Sequence, residues 1–308
     1  ANGTPRNGPC ALHNVLRFAA PELLRSAEGM VLQQSLRPTP GQPVRTPVAA
    51  AALRQRMSVR AMQRPHGFTA LDYEHFSVDL LFDYYWLTGD PYAHRELRRA
   101  GIGLRRVLHD LPMQTCRGEG WCMQAAVAIE RAGAARGLVA WLRTRFANEV
   151  RPHLGRDRDR FVLAQPPHPD AFDGRTRFDC PWQMAAFVHG AHAMFRHCGD
   201  AQLRDAAVRA AAVMAGPGWL DDVGPKYFVT ASALGEDCMP IGHGPLEGTA
   251  VLQIGGFVLA AELATDHAQR TLFRTRAQII VAPHRKSDLE RTAANPWFQL
   301  ALDRWAVR

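Results

Sequence analysis

A run of apolar residues that stops at a glycine or aspartate and gives way at once to an amphipathic run occurs four times in this 308-residue chain. The junctions are Leu87-Thr88-Gly89-Asp90-Pro91, Ala132-Gly133-Ala134, Cys198-Gly199-Asp200-Ala201 and Ala264-Thr265-Asp266-His267. Matching positions 89, 133, 199 and 265 stand 44, 66 and 66 residues apart, which suits helix pairs separated by insertions of variable length. Glycine supplies the left-handed conformation that ends a helix, and aspartate accepts from the open N–H groups that begin the next. The pattern therefore predicts helical hairpins, not strands.

The two members of each pair differ in character. The first members, Phe76 to Leu87, Trp121 to Ala132, Trp182 to His197 and Val251 to Ala264, are apolar nearly all round, as helices covered on every side must be. The second members, Tyr92 to Leu108, Ala135 to Val150, Ala201 to Met214 and Ala268 to Val281, carry Arg, Glu, Asp and Gln on one face only. Inner helices alternating with outer ones describe an all-α fold, an α/α toroid in the form of a small or incomplete α/α barrel. A long polar insertion precedes each inner helix, at 46–72, 112–120, 152–181 and 216–247. Such insertions at one end favour the toroid over a plain stack of helical repeats. The toroid is expected over 61–308, with an irregular and helical segment, 1–60, packed on it and helical near Leu12 to Leu24. Parallel inner helices would bring their N-termini, each an electropositive cradle, to one mouth.

Composition narrows the function classes. With 47% apolar residues the chain can bury a sizeable core. No stretch reaches the roughly 18 uninterrupted apolar residues of a membrane span. The formal charge of +8 favours an anionic partner, yet the excess is arginine spread along helices, as at Arg95, Arg98, Arg99, Arg105 and Arg106, where a solvated face is the simpler reading. No basic motif with interleaved aromatics appears, so neither nucleic acid nor membrane is expected as a partner. Six cysteines contain no Cys-x-x-Cys pair, so no metal site is expected from them, although Cys116 and Cys122 flank a glycine-rich turn that could bring them together.

Four polar clusters precede the inner helices. In Pro65 to Ser77, His66 sits in a Pro-His-Gly loop, Glu74 and His75 adjoin the first inner helix, and Asp72 is placed to cap it. In Arg117-Gly118-Glu119-Gly120-Trp121 the glycines permit close approach of a ligand, Arg117 can fork onto a carboxylate, and Trp121 offers a face to a sugar ring. A tight turn with a salt bridge is the structural alternative. The third cluster ends in Asp179-Cys180-Pro181-Trp182-Gln183, with Asp179 as the expected cap and Trp182 level with Trp121. The fourth holds Lys226, Tyr227, His243 between two glycines, and Glu247. His189, His192 and His197 lie inside the third inner helix, where packed histidines are more frequent than metal ligands.

The stretch Glu74-His75-Phe76 through Thr88-Gly89-Asp90, with Arg117, Gly120-Trp121 and Gly199-Asp200, resembles α/α-toroid carbohydrate-active proteins, particularly the rhamnogalacturonan exolyase-like polysaccharide lyases. The resemblance covers roughly residues 60 to 280, without a strand-rich β-sandwich domain. It implies β-elimination on a uronic-acid-containing polysaccharide or oligosaccharide, without a cofactor, and favours a secreted or periplasmic setting. Arg117 and the helix N-termini would neutralise the uronate carboxylate, His66, His75 or His243 would remove the C5 proton, and Tyr227 would protonate the leaving oxygen. Glu119, Trp121, Trp182, Gln183 and Glu247 would hold the sugar. The competing expectations are a glycoside hydrolase with acid and base among Glu74, Glu119, Asp179 and Glu247, and a non-catalytic toroid that binds a glycan or protein.

Overall fold

The computed structural model describes residues 12, 15, 19, 21–35, 76–109, 113, 115–153, 178, 179, 181–221, 224–226, 229, 230 and 248–282, and every structural statement concerns these. Helix makes up 82% of them, and strand is confined to two-residue segments, so the all-α expectation holds. The chain divides into two compact units. The first is drawn from residues up to 112 together with 121–144, the second from 113–120 together with the residues from 145 onward. The boundary expected at residue 60 lies outside the described residues.

In the first unit, α1 (Glu22–Ser35) packs on α2 (Asp79–Thr88), which pairs with α3 (Pro91–His109). The helix expected from Leu12 to Leu24 does not run through: α1 starts after Pro21, and Ala19 adopts φ 49°. Pro21 lacks an amide and disfavours helical geometry in the residue before it. The α2–α3 turn follows the local chemistry. Gly89 adopts φ 68° with its N–H on the Tyr85 carbonyl at 2.7 Å, and Asp90 Oδ1 accepts from Tyr92 N at 2.7 Å. Helix α2 begins at Asp79 with Val78 in the N-cap position, so Asp72, outside the described residues, is not its cap. It buries Leu80, Leu81 and Tyr84 but leaves Trp86 and Leu87 exposed, contrary to a helix covered all round.

Helix α4 (Cys116–Arg131) spans the division between units. After Gly133, at φ 68°, the chain turns into α5 (Leu138–Arg145), whose first amides, Leu138 N and Val139 N, donate to Glu130 Oε1. The outer helix expected to continue to Val150 instead widens at 145 into a π-helical turn, Phe146–Val150, and a 3-10 turn, Arg151–His153. The wider turn turns both Phe146 and Val150 into the core, and Pro152 limits further helix.

The second unit contains two hairpins, α6 (Pro181–Cys198) with α7 (Ala201–Ala215) and α8 (Gly248–Leu263) with α9 (His267–Val281). Gly199 at φ 72° ends α6, while Asp200 and Asp266 accept from Gln202 N and Gln269 N to start the outer helices. Between α6 and α8 the hairpins share a core in which Phe187, Phe257 and Phe273 are fully buried, each worth roughly 1.5–3 kcal/mol. Ala185 lies against Gly256, where an added Cβ would come within 2.9 Å of the Ala185 Cβ. Short antiparallel ladders tie the loops: β1 (Phe178–Asp179) pairs with β4 (Val229–Thr230), and β2 (Trp219–Leu220) with β3 (Gly224–Pro225).

The tightest packing in this unit joins the start of α4 to α6. A Cβ on Gly120 would overlap the Ala186 carbonyl and come within 2.6 Å of the Phe187 Cα, and one on Gly190 would come within 2.7 Å of the Gly120 Cα. Replacing either glycine by alanine forces the helices apart. Gly120→Ala and Gly190→Ala are each expected to lower unfolding free energy by about 1–3 kcal/mol or more in urea titration. Gly29→Ala, in α1 with open space at its Cβ, is expected to raise it by about 0.5–1 kcal/mol.

Candidate functional site

The stretch Arg117 to Trp121 is not a glycine-rich turn but part of α4 itself. Thr115 opens the helix by accepting Gly118 N on Oγ1 at 3.1 Å and Glu119 N on its carbonyl at 3.2 Å. Gly120 serves the approach of a neighbouring helix, not of a ligand. With α4 begun five residues earlier than expected, Cys116 and Cys122 are buried thiols on a single helix and are not joined to each other.

The helix contact sets Arg117 beside Trp182. The Arg117 guanidinium lies 5.0 Å from the centroid of the Trp182 ring, and both side chains are largely buried. One face of Trp182, expected to stack on a sugar, therefore carries a cation. Gln183, the next residue on α6, is also buried. Trp121 is buried in the first unit.

Glu119 is fully buried and is gripped by Arg145, Nη2 to Oε1 at 2.6 Å and Nε to Oε2 at 3.1 Å. This fork satisfies a carboxylate that burial would otherwise strand, and loss of one partner of such a pair typically costs about 3–5 kcal/mol. Glu119 thus anchors α4 and is not available as a sugar-facing group or as a hydrolytic acid or base. In place of a tight turn with a salt bridge, the cluster is helical and its carboxylate pairs with Arg145, outside the cluster.

The third and fourth junctions meet through the ladder in which Asp179 pairs with Val229. Asp179 lies in β1, two residues before α6 begins at Pro181 and so one residue too early to be its cap. Lys226, three residues before Val229, is buried and sends its backbone N–H to Gly218 O at 2.9 Å. The second unit therefore contains Arg117, Trp182, Gln183 and Lys226, of which Arg117 and Trp182 are in contact. His66, Glu74, His75, Tyr227, His243 and Glu247 lie outside the described residues.

Further polar and ionisable groups lie within the helices, Gln253, Asp79 and Asp83 among them without a motif to mark them. His189 is packed as expected, and burial holds its ring down to about 3, aided by His192 and opposed by a hydrogen bond with the Leu252 backbone. Its neighbour His192 meets Glu262 at 3.2 Å. Gln253 on α8 is fully buried, and neither end of its amide has a hydrogen-bond partner among the described residues, a polar group that an apolar run conceals. In the first unit Asp79 and Asp83 occupy successive turns of α2. Burial pushes the Asp79 carboxyl up to about 7, with Asp83 adding to the effect and hydrogen bonds from Ser77 and Gln124 opposing it. Asp83 is pushed up to about 6 by burial, against the pull of Arg131. An i, i+4 pair of aspartates in an aromatic helix was a readable signal.

Comparison with protein-family models and with curated proteins finds no match.

The raised carboxyls make stability depend on pH in a definite direction. Native Asp79 keeps its proton to about pH 7, whereas the unfolded group loses it near 3.8, so stability falls as pH rises through this window. His189 acts oppositely, since the unfolded ring takes up a proton below 6.5 and the native ring does not. Asp79→Asn keeps His189 and removes the Asp79 titration. Urea unfolding at about pH 5 and about pH 8 is expected to show a smaller loss of stability with rising pH in this variant than in the wild type.

Proposed function

We propose that the chain is a carbohydrate-active protein of the α/α-toroid type and that it cleaves a uronic-acid-containing glycan by β-elimination. The architecture has support from the direction of the helix contacts in the second unit. Arg117 lies beside Trp182 and Gly120 beside Ala186 and Gly190, so the start of α4 and α6 advance together. Ala185 meets Gly256 and, further on, His192 meets Glu262, so α6 and α8 also advance together. Successive inner helices of a toroid have this relation, with outer helices α7 and α9 returning between them.

The observation that carries the chemistry is Arg117 stacked on Trp182 at the first turns of two helices. Stacking holds the guanidinium in one plane and out of bulk water, where its interaction with a carboxylate gains strength. A uronate carboxylate bound there would be neutralised, and the C5 proton made more acidic. The helix N-termini add positive potential in the same place. His66, His75 or His243 would take the proton, and Tyr227, next to Lys226 and two residues before Val229, would protonate the leaving oxygen. Glu119, held by Arg145, leaves hydrolysis to Glu74, Asp179 and Glu247, which weakens that reading.

Incubation with a panel of acidic polysaccharides, followed by ultraviolet absorbance of unsaturated uronide ends, tests the proposal. Wild type is expected to raise the absorbance, and Arg117→Lys, which keeps the charge but loses the planar fork, to lower kcat/KM about a hundredfold. New reducing ends without absorbance would assign hydrolysis. Glycan binding without either product would assign a non-catalytic module.

A further inference from the structure

The geometry points to a second binding site, in the first unit, for a small organic polyanion bearing phosphate or carboxylate groups. It does not rest on the glycan reading. The site is an open cleft of about 440 Å³ between α3 and the turn that joins α4 to α5. His94, Arg98, Ile102 and Arg105 recur along α3 at three- and four-residue steps, so one face of the helix forms one wall. Arg136 and the small residues before it form the other.

The arginines of α3, which the sequence alone assigns to a solvated face, divide into distinct groups. Arg95 and Arg99 turn to Glu96, at 3.8 and 2.7 Å. Arg105 braces the opposite wall: its Nη2 donates to the carbonyls of Arg136 at 3.4 Å and Gly137 at 3.1 Å, and its guanidinium lies 5.6 Å from the Trp141 ring centroid. Arg98 and Arg136, on opposing walls, have no ion-pair or hydrogen-bond partner for their side chains among the described residues. Among the described residues no carboxylate lines the cleft. The two nearest along the chain are engaged elsewhere, Glu96 with Arg99 and Glu130 with the first amides of α5.

Charge of one sign in a concave site, with two uncommitted guanidinium groups facing across it, is suited to clamping an oxyanion by paired N–H donors. Gly133, Ala134 and Ala135 add little bulk to the second wall and so leave room for the ligand. Ile102, half exposed at 49%, gives the cleft an apolar contact that a bare inorganic ion would not use. The volume lies within the range of small-molecule sites.

Isothermal titration of the full chain with inorganic pyrophosphate and, separately, with citrate tests this. At least one probe is expected to bind, with affinity falling about tenfold or more in the Arg98→Gln/Arg136→Gln double variant. Both side chains are exposed, so the double variant is expected to melt as wild type does. Arg95→Gln, on the same helix but outside the cleft, is expected to bind within about twofold of wild type. Preference for pyrophosphate assigns a phosphate ligand, and preference for citrate a carboxylate. Binding of neither probe below about 10 mM, or equal binding by wild type and double variant, overturns the proposal.

Discussion

The close approach of Gly120 and Gly190 sets the register on which the second unit depends. Two helices meet backbone to backbone only where neither carries a Cβ, and here the fit admits no other residue at either point. The contact fixes how far α6 is advanced relative to α4. Toward the N-termini, three residues back along α4 and eight back along α6, it brings Arg117 onto Trp182. It also buries Glu119, the residue beside Gly120, and a carboxylate so placed requires a charged partner. Arg145 supplies it from the end of α5, at the residue where that helix widens into the π-helical turn. Packing, ion pair and cation–aromatic stack are thus consequences of one contact.

The fold was legible where its determinants are local. Gly89, Gly133 and Gly199 end helices in the left-handed conformation, and Asp90, Asp200 and Asp266 accept from the next helix's first amides. Helices α6, α7, α8 and α9 consequently fall within a few residues of expectation. Misjudged boundaries are those where local and tertiary roles of one residue type conflict. Gly118 and Gly120 resemble turn residues, yet they sit in α4, and at Gly120 a second backbone needs the space. Breaking the outer helix after Arg145 satisfies burial of Phe146 and Val150, a demand that amphipathic periodicity does not express.

Residue type alone did not give the partners of the polar groups at the helix starts. Arg117 lies beside Trp182, Gln183 follows Trp182 on α6, and Lys226 precedes the strand that pairs with β1. Their chemical assignments shifted because side-chain partners are set by three-dimensional neighbours. Trp182 carries a guanidinium on one face, and Glu119 serves Arg145. Asp79 and Asp83 stand one turn apart in an aromatic helix, a spacing the sequence does show, but only burial gives them unusual protonation.

Arginine illustrates why net charge is a weak guide to function in this chain. The same side chain neutralises a buried carboxylate at Arg145, stacks on an aromatic at Arg117, and closes backbone carbonyls at Arg105 and Arg276, the last donating to Ala215 O at 3.1 Å. Each of these uses fixes the guanidinium through contacts within the protein, so its charge has a defined position even where it is not neutralised. An anion gains most from such placed charges, since their ordering has already occurred before binding. What distinguishes a binding arginine from a solvated one is therefore not the excess of eight positive charges, but whether it lines a concave surface without a neutralising carboxylate, as Arg98 and Arg136 do beside the braced Arg105.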